Sequence, residues 1–139
     1  YAAGRLSDLA LRWLGSSELA RCRFIHCGDY DPVGIDEFLR LKVVVGDRAR
    51  LHIPANLRDL VATYGRPELL CDSAAVLKRL RASADPDVRN VIQILDETGC
   101  GLEQEALLLL LGSQNRLHLK EWTFALFAPL DLNRAGPDF

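Results

Sequence analysis

The chain has 139 residues, of which 49% are hydrophobic and 26% charged, and this balance suits one globular domain with a buried core. Its net charge of −2 lacks the basic excess that drives autonomous binding to nucleic acid, although an acidic metal site would itself lower the net charge. The run of apolar residues at 106–111 is far shorter than a membrane span, so we expect no transmembrane segment.

The sequence starts at Tyr1 and contains no Met, so we expect it to be a fragment of a longer protein. Four cysteines are present, and they form no CxxC pair: Cys22, Cys27, Cys71 and Cys100. The spacing of Cys22, His26 and Cys27 is wrong for zinc. We interpret the cysteines as buried, reduced thiols of a cytoplasmic protein.

Helical and extended patterns alternate in the first half of the chain. In order, they predict a helix over 5–20, a strand over 21–27, a helix from Pro32 to about Gly46 and a strand over 49–53. Ser7 is in position to cap the first helix, and Pro32 suits the first turn of the second because its missing N–H costs nothing there.

The second half is more helical. The pattern predicts helices over 54–64, from Asp72 or Ser73 to about 81, from Asp85 through 95, and over 102–111. Residues 122–127 fit a strand or a helix. The whole alternation predicts an α/β fold with a small, mostly parallel sheet flanked by helices.

The segment GDYDPVG, residues 28–34, places two carboxylates just after the first predicted strand. Residues two apart in an extended segment point the same way, so Asp29 and Asp31 could direct both carboxylates to one point. Gly28 and Gly34 would leave room for a backbone or a phosphate. The helix that begins at Pro32 would add free N–H groups and a partial positive charge.

Two neighbouring carboxylates repel each other unless a cation relieves the repulsion. Mg²⁺ is commonly held by one or two carboxylates together with phosphate oxygens of the substrate. The segment therefore predicts a Mg²⁺ or Mn²⁺ site at Asp29 and Asp31. The alternative is that the two aspartates form a turn and cap the following helix, and the residues alone leave both interpretations open.

The order strand, Gly-Asp-x-Asp-Pro-x-Gly, helix resembles the second acidic motif of Toprim domains, in the form found in the A subunit of topoisomerase VI. A second stretch, ILDETGCGLEQEALLL, begins at Ile94. It is similar to the Leu-Glu-Gln-Glu signature of the JetD family, the nuclease subunit of bacterial Wadjet plasmid-defence systems. The resemblance covers most of the chain from about Gly4 to Leu111.

The resemblance implies a Toprim-like domain over 1–111, with 112–139 as a C-terminal extension, and metal-dependent cleavage of DNA phosphodiesters. It implies Asp29 and Asp31 as metal ligands and catalytic residues. It implies Glu103 and Glu105 as further catalytic carboxylates, of which a helix would direct only one to the metal. The implied partners are DNA, SMC-like complex subunits and a second copy of the chain in a homodimer.

The sequence also departs from the Toprim pattern. Toprim domains place a Glu at the end of the first strand, and here that strand would lie before Tyr1. Glu18 lies in a predicted helix and is a poor substitute. We therefore expect the fragment alone to be weakly active or inactive, and the alternative function is a non-catalytic module for DNA positioning or dimerisation.

Several other residues have weaker signals. Lys78, Arg79 and Arg81 form a basic stretch of a predicted helix, which is either a phosphate contact or a solvated face. His26 is expected to be packed in the core, and Tyr30 to point away from the two aspartates. A phosphatase of the haloacid dehalogenase type also has Asp-x-Asp after a strand, but it requires Thr or Val where this chain has Pro32.

Overall fold

The structure is a computed structural model, and it describes residues 5–106. The elements in chain order are α1 (Asp8–Leu14), β1 (Phe24–His26), α2 (Pro32–Val45), β2 (Ala49–Leu51), α3 (Leu57–Tyr64), α4 (Glu68–Cys71), α5 (Ala74–Leu80) and α6 (Pro86–Thr98). Short 3-10 turns lie at Ser17–Leu19 and Gly46–Arg48. The described chain is mixed α/β and mostly helical, with a small parallel sheet packed against helices.

The sheet consists of β1 and β2, which are parallel and joined through α2. Ile25 lies beside Arg50 in the register. Helix α2 covers one face, where the His26 and Phe38 rings are 5.9 Å apart between centroids. On the other face Ile25 is 66% exposed. The expectation of a small parallel sheet is confirmed, and among the described residues this sheet has one covered and one open face.

Helix α2 has the local sequence of a well-defined helix. Asp31 is its N-cap, Pro32 occupies the first turn as predicted, and Gly46 ends the helix at a φ of 64°. The apolar residues recur at helical spacing and form the side buried in the core: Ile35, Phe38, Leu41 and Val45. This helix therefore determines where the turn before it can lie.

Two acidic residues of α2, Asp36 and Glu37, are buried and paired with arginines. Asp36 contacts Arg5 and Arg79, and Glu37 contacts Arg5 and Arg40. Burial alone would raise the pKa of Glu37, but the hydrogen bonds and charges of Arg40 and Arg5 bring the pKa below its usual value. Because buried charges are stable only when paired, these contacts attach the N-terminal segment and α5 to α2.

The predicted helix over 5–20 is too long. Ser7 caps α1 as predicted, its Oγ accepting from the Ala10 N–H at 3.1 Å, but the helix ends at Leu14. A Cβ on Gly15 would lie 2.5 Å from Val44 Cγ1, so this point of the chain packs directly on α2. The helical pattern of the sequence continues beyond Leu14, whereas the helix itself ends there and the chain packs on α2 at Gly15.

Other element boundaries differ by a few residues. Both strands have three residues, α3 begins at Leu57 instead of 54, and α4 has no counterpart in the prediction. Helix α6 continues to Thr98 and ends at Gly99, which has a φ of 68°. Residues 104–106 are helical. The rest of the helix predicted over 102–111, the segment 122–127 and the boundary at 111/112 lie outside the described residues.

The expectation that the cysteines are buried is wrong. All four are free, but Cys22 and Cys71 are exposed and Cys27 and Cys100 are half-buried. Cys22 lies before β1, and Cys71 is the last residue of α4. Among residues 5–106, no helix has the length and apolar character needed to cross a membrane.

Candidate metal and phosphate site

The acidic turn (residues 28–34, GDYDPVG) and the GLEQE segment (residues 101–105) lie side by side in the structure. Tyr30 and Leu102 form an antiparallel bridge, in which the Tyr30 N–H donates to Leu102 O at 2.8 Å and the Leu102 N–H donates to Tyr30 O at 2.9 Å. The preceding residue, Gly101, forms a similar bridge with Arg66: the Arg66 N–H donates to Gly101 O at 2.8 Å and the Gly101 N–H donates to Arg66 O at 3.0 Å. Four backbone hydrogen bonds thus hold the GLEQE segment in place.

Asp29 contacts this segment directly. Its Oδ1 accepts a hydrogen bond from the Gln104 N–H at 2.7 Å, across 75 residues of sequence. Since residues 104–106 are helical, the Asp29 carboxylate lies where a helix presents free N–H groups and a partial positive charge. Asp29 therefore caps a helix that is distant from it in the sequence.

Asp31 caps the helix that follows it. Its Oδ1 accepts from the Gly34 N–H at 2.7 Å, and the residue is only 8% exposed. Burial raises the pKa of Asp31, and the negative charges of Asp29 and Glu103 raise it further. Hydrogen bonds from the Gly34 and Val33 N–H groups lower the pKa, but the net shift is upward. The ionised form of Asp31 is therefore destabilised, partly by two other carboxylates near it.

Glu103 and Glu105 have different surroundings. Glu103 accepts from Arg66 Nη1 at 2.8 Å, and its charge acts on Asp31. Glu105 is exposed, and no hydrogen bond joins it to the aspartates among the described residues. Asp29 and Glu103 thus act electrostatically on Asp31, whereas no hydrogen bond or ion pair joins Glu105 to these residues in the part of the chain that the structure describes.

These residues suit one kind of metal and not another. Within residues 5–106, no group of three or more His, Cys, Asp or Glu side chains could hold a metal ion by itself, which disfavours a closed zinc site. Mg²⁺ needs only one or two carboxylates, because it retains waters and binds phosphate oxygens. Asp29 and Asp31 fit that requirement, and a hard cation would relieve the repulsion that raises the pKa of Asp31.

The two glycines of the turn have packing roles inside the protein. A Cβ on Gly34 would lie 2.2 Å from the carbonyl oxygen of Asp29, and a Cβ on Gly28 would lie 2.6 Å from His26 Nε2. Gly34 therefore requires glycine because its neighbour is backbone, whereas at Gly28 the neighbour is a side-chain end that an added methyl would displace. That the same glycines admit a phosphate stays a prediction.

His26 lies under the turn, on the covered face of the sheet. Its Nε2 is buried and has no hydrogen-bond partner among the described residues. Burial lowers the pKa of His26. A backbone hydrogen bond with Gly34 and the charges of Glu37 and Asp29 raise the pKa, but the net shift is downward. The packed position was predicted, but its closeness to the acidic turn gave no signal in the sequence.

Tyr30 is 2% exposed, and its hydroxyl donates to the His52 carbonyl oxygen at 2.9 Å. Burial raises the pKa of Tyr30 well above its usual value. The side chain is therefore packed in the core and bonded to the chain after β2, which agrees with the expectation that it points away from the aspartates.

The basic stretch on α5 is largely engaged within the fold. Arg79 pairs with Asp36, and Arg81 donates to both oxygens of Asp96 at 3.0 and 2.6 Å. Lys78 is exposed, and it forms no ion pair among the described residues. Arg66, which holds Glu103, was missed by sequence reasoning because no local pattern marks a contact between the loop that follows α3 and the GLEQE segment.

Comparison with protein-family models, with curated proteins and with solved structures found no match to this chain. The two motifs and the contacts between them are thus the observations from which a function can be argued.

Proposed function

We propose that the chain is a Toprim-type, metal-dependent nuclease domain that cleaves DNA phosphodiesters. The observation that carries the proposal is the hydrogen bond between Asp29 Oδ1 and the Gln104 N–H, which joins the two motifs of the JetD resemblance across 75 residues. Since no three acidic side chains of residues 5–106 form a metal-binding group, the proposal relies on Asp29 and Asp31, with phosphate oxygens of the substrate completing the coordination. Asp29, Asp31 and Glu103 are close enough for the charges of two of them to raise the pKa of the third.

In this proposal Asp29 and Asp31 hold Mg²⁺ or Mn²⁺. When bound, such a metal polarises a phosphoryl oxygen and lowers the pKa of a coordinated water. The caps at Gly34 and Gln104 fix the two carboxylates, so they need little reordering to bind a cation. Arg66 holds Glu103 beside them, and Glu105 keeps a catalytic role only if it reaches the site when DNA is bound.

The resemblance to the JetD family supports a wider setting. The chain would act in a plasmid-defence system, in the cytoplasm, with DNA and SMC-like complex subunits as partners and with a second copy in a homodimer. Lys78 is the basic residue of α5 best placed for DNA, because Arg79 and Arg81 are paired with acidic residues.

The alternative is a non-catalytic Toprim-like module that positions DNA or dimerises. A specific observation favours it: each acidic residue already has a structural partner. Asp29 and Asp31 each cap a helix through Oδ1, and Glu103 is paired with Arg66. The turn could therefore be retained for folding alone, and an experiment has to separate metal binding from capping.

The first test is a thermal shift with Mg²⁺ and Mn²⁺ on the full chain and on the Asp29→Asn/Asp31→Asn double variant. Asn is about as good an N-cap as Asp, so the variant keeps its caps and loses the charges. We expect metal to raise the Tm of the parent only. A metal concentration of 100 times its Kd would raise the free energy of unfolding by about 2.7 kcal/mol.

A matched control is Asp85→Asn, which removes the charge of the α6 cap and should leave the metal shift intact. Cleavage of supercoiled plasmid then separates the two functions. Loss of cleavage in both single variants, Asp29→Asn and Asp31→Asn, supports the nuclease. Parental cleavage rates in these variants would contradict it, and the absence of any metal-dependent rise in Tm would favour the non-catalytic module.

A further inference from the structure

The uncovered face of the sheet carries two arginines around an apolar side chain. Ile25 is 66% exposed in the middle of β1, and Arg50 is exposed beside it in the register. Neighbouring residues of adjacent strands point to the same face, and so do residues two apart along one strand. Arg23, also exposed, lies one residue before the start of β1 and is next to this surface in the chain. We refer to Arg23, Ile25 and Arg50 as the open face.

The arginines of the open face have no acidic partner in the described part of the chain. The ion pairs between residues 5 and 106 use other basic residues: Arg5, Arg40, Lys42, Arg58, Arg66, Arg79 and Arg81. Arg23 and Arg50 are in none of them. Within residues 5–106 no carboxylate neutralises these two charges, although the chain as a whole is slightly acidic.

We propose that the open face binds the phosphate backbone of duplex DNA and leads it to the acidic turn. The proposal deepens the nuclease function and rests on it for the identity of the polyanion. Strand β1 ends at His26, and the chain reaches Asp29 three residues later, so the carboxylates follow the carboxyl end of this strand. Asp29 comes four positions after Ile25, a span of at most roughly 13 Å or about four base-pair steps.

The composition of the open face also sets the kind of recognition. Two arginines can neutralise phosphates, whereas Ile25 offers no donor or acceptor to a base edge. Contacts to phosphates position a protein on DNA and carry no direct sequence information. The open face is therefore a site for duplex of any sequence.

The test is fluorescence anisotropy with labelled duplex DNA, in EDTA so that binding is separated from cleavage, over a series of salt concentrations. Arg23→Ala/Arg50→Ala should weaken binding roughly 60-fold at about 0.1 M salt, and should reduce the slope of log K against log salt by about 2. Arg23→Lys/Arg50→Lys keeps the charges and should keep the slope. Arg12→Ala/Arg89→Ala removes two other exposed arginines, on α1 and α6, and should match the parent.

Equal binding by the parent and the Arg23→Ala/Arg50→Ala variant would overturn the proposal. The proposal would also be overturned if poly-glutamate bound with the same affinity as duplex DNA and depended equally on these arginines. The open face would then fit an acidic protein segment. Failure of the nuclease proposal can be distinguished from failure of the open-face proposal. Arginine-dependent DNA binding with no rise in the parent's Tm in Mg²⁺ or Mn²⁺ keeps the open face and counts against the metal site, whereas a metal-dependent rise in Tm without arginine-dependent DNA binding does the reverse.

Discussion

Gly34 shows how closely the acidic turn is folded against the helix that follows it. The position lies in the first turn of α2, and a Cβ there would meet the carbonyl oxygen of Asp29 at 2.2 Å. The sequence suggested a different reason for this glycine, namely room for a phosphate. A glycine in a pattern indicates a close approach, but it does not identify the group that approaches.

Replacing this residue gives a prediction with a clear sign. In an ordinary helix Gly→Ala stabilises by about 1 kcal/mol. Here the added methyl meets backbone that has to move, at a cost of about 1–3 kcal/mol. We expect Gly34→Ala to lower the free energy of unfolding, measured by urea denaturation. Val43→Ala, at an 86% exposed position of the same helix, should change it little. A more stable Gly34→Ala variant would mean that the turn is more open than described.

At the scale of elements, the starts of α2 and α6 were the most predictable features. Each begins with an Asp-Pro pair, in which Asp caps the helix and Pro occupies the first turn: Asp31-Pro32 and Asp85-Pro86. Such starts depend on neighbouring residues alone. The end of α1 depends instead on the contact of Gly15 with Val44, which no local pattern encodes. Helix α4, with four residues, is too short to show a periodicity.

The cap of α6 can be tested by two substitutions. The Asp85 side chain accepts from the Asp87 and Val88 N–H groups and pairs with Lys42. Asp85→Ala removes all three contacts, and the lost cap alone should cost about 1 kcal/mol of unfolding free energy. Asp85→Asn keeps a capping oxygen and loses only the charge pair, so its stability should lie between those of parent and Ala variant. Equal losses in both would show that the cap contributes nothing.

At the scale of the whole molecule, buried carboxylates with opposite pKa shifts set the response to pH. Hydrogen bonds and cations lower the pKa of Glu37 and Asp85 against the effect of burial. Their stabilisation is present above their unfolded pKa values of about 4 and is lost as pH falls through the folded values. Burial and two neighbouring charges raise the pKa of Asp31. Its contribution is fully present below about pH 4 and is lost as pH rises through the raised value.

The two kinds of carboxylate should therefore give variants of opposite behaviour. We expect Asp31→Asn to match the parent in Tm near pH 3.5 and to exceed it increasingly toward neutral pH, because Asn keeps the cap without the buried charge. Glu37→Gln should be less stable than the parent at neutral pH, and the difference should narrow as the solution is acidified. Melting curves across this pH range, without divalent metal, measure both. Parallel curves for the parent and Asp31→Asn would contradict the raised pKa.

The sequence predicted which acidic residues to consider and their order, but not how they meet. The pairing of Tyr30 with Leu102 and the bond from Gln104 to Asp29 join segments far apart in the chain. A periodicity over one helix or one strand contains no information on such contacts. The same holds for Arg66, whose role appears only when the chain around it is folded.

The 75-residue separation of Asp29 and Gln104 has a consequence for synthesis. A ribosome adds about 5–20 residues per second, so roughly 4–15 seconds pass between the emergence of the first aspartate and that of its partner. During this interval the nascent chain contains the complete GDYDPVG motif without the segment that fastens it. A product terminated early, before residue 101, would stay in that state. The order of the motifs along the messenger thus delays completion of the acidic turn until nearly all of the described chain exists.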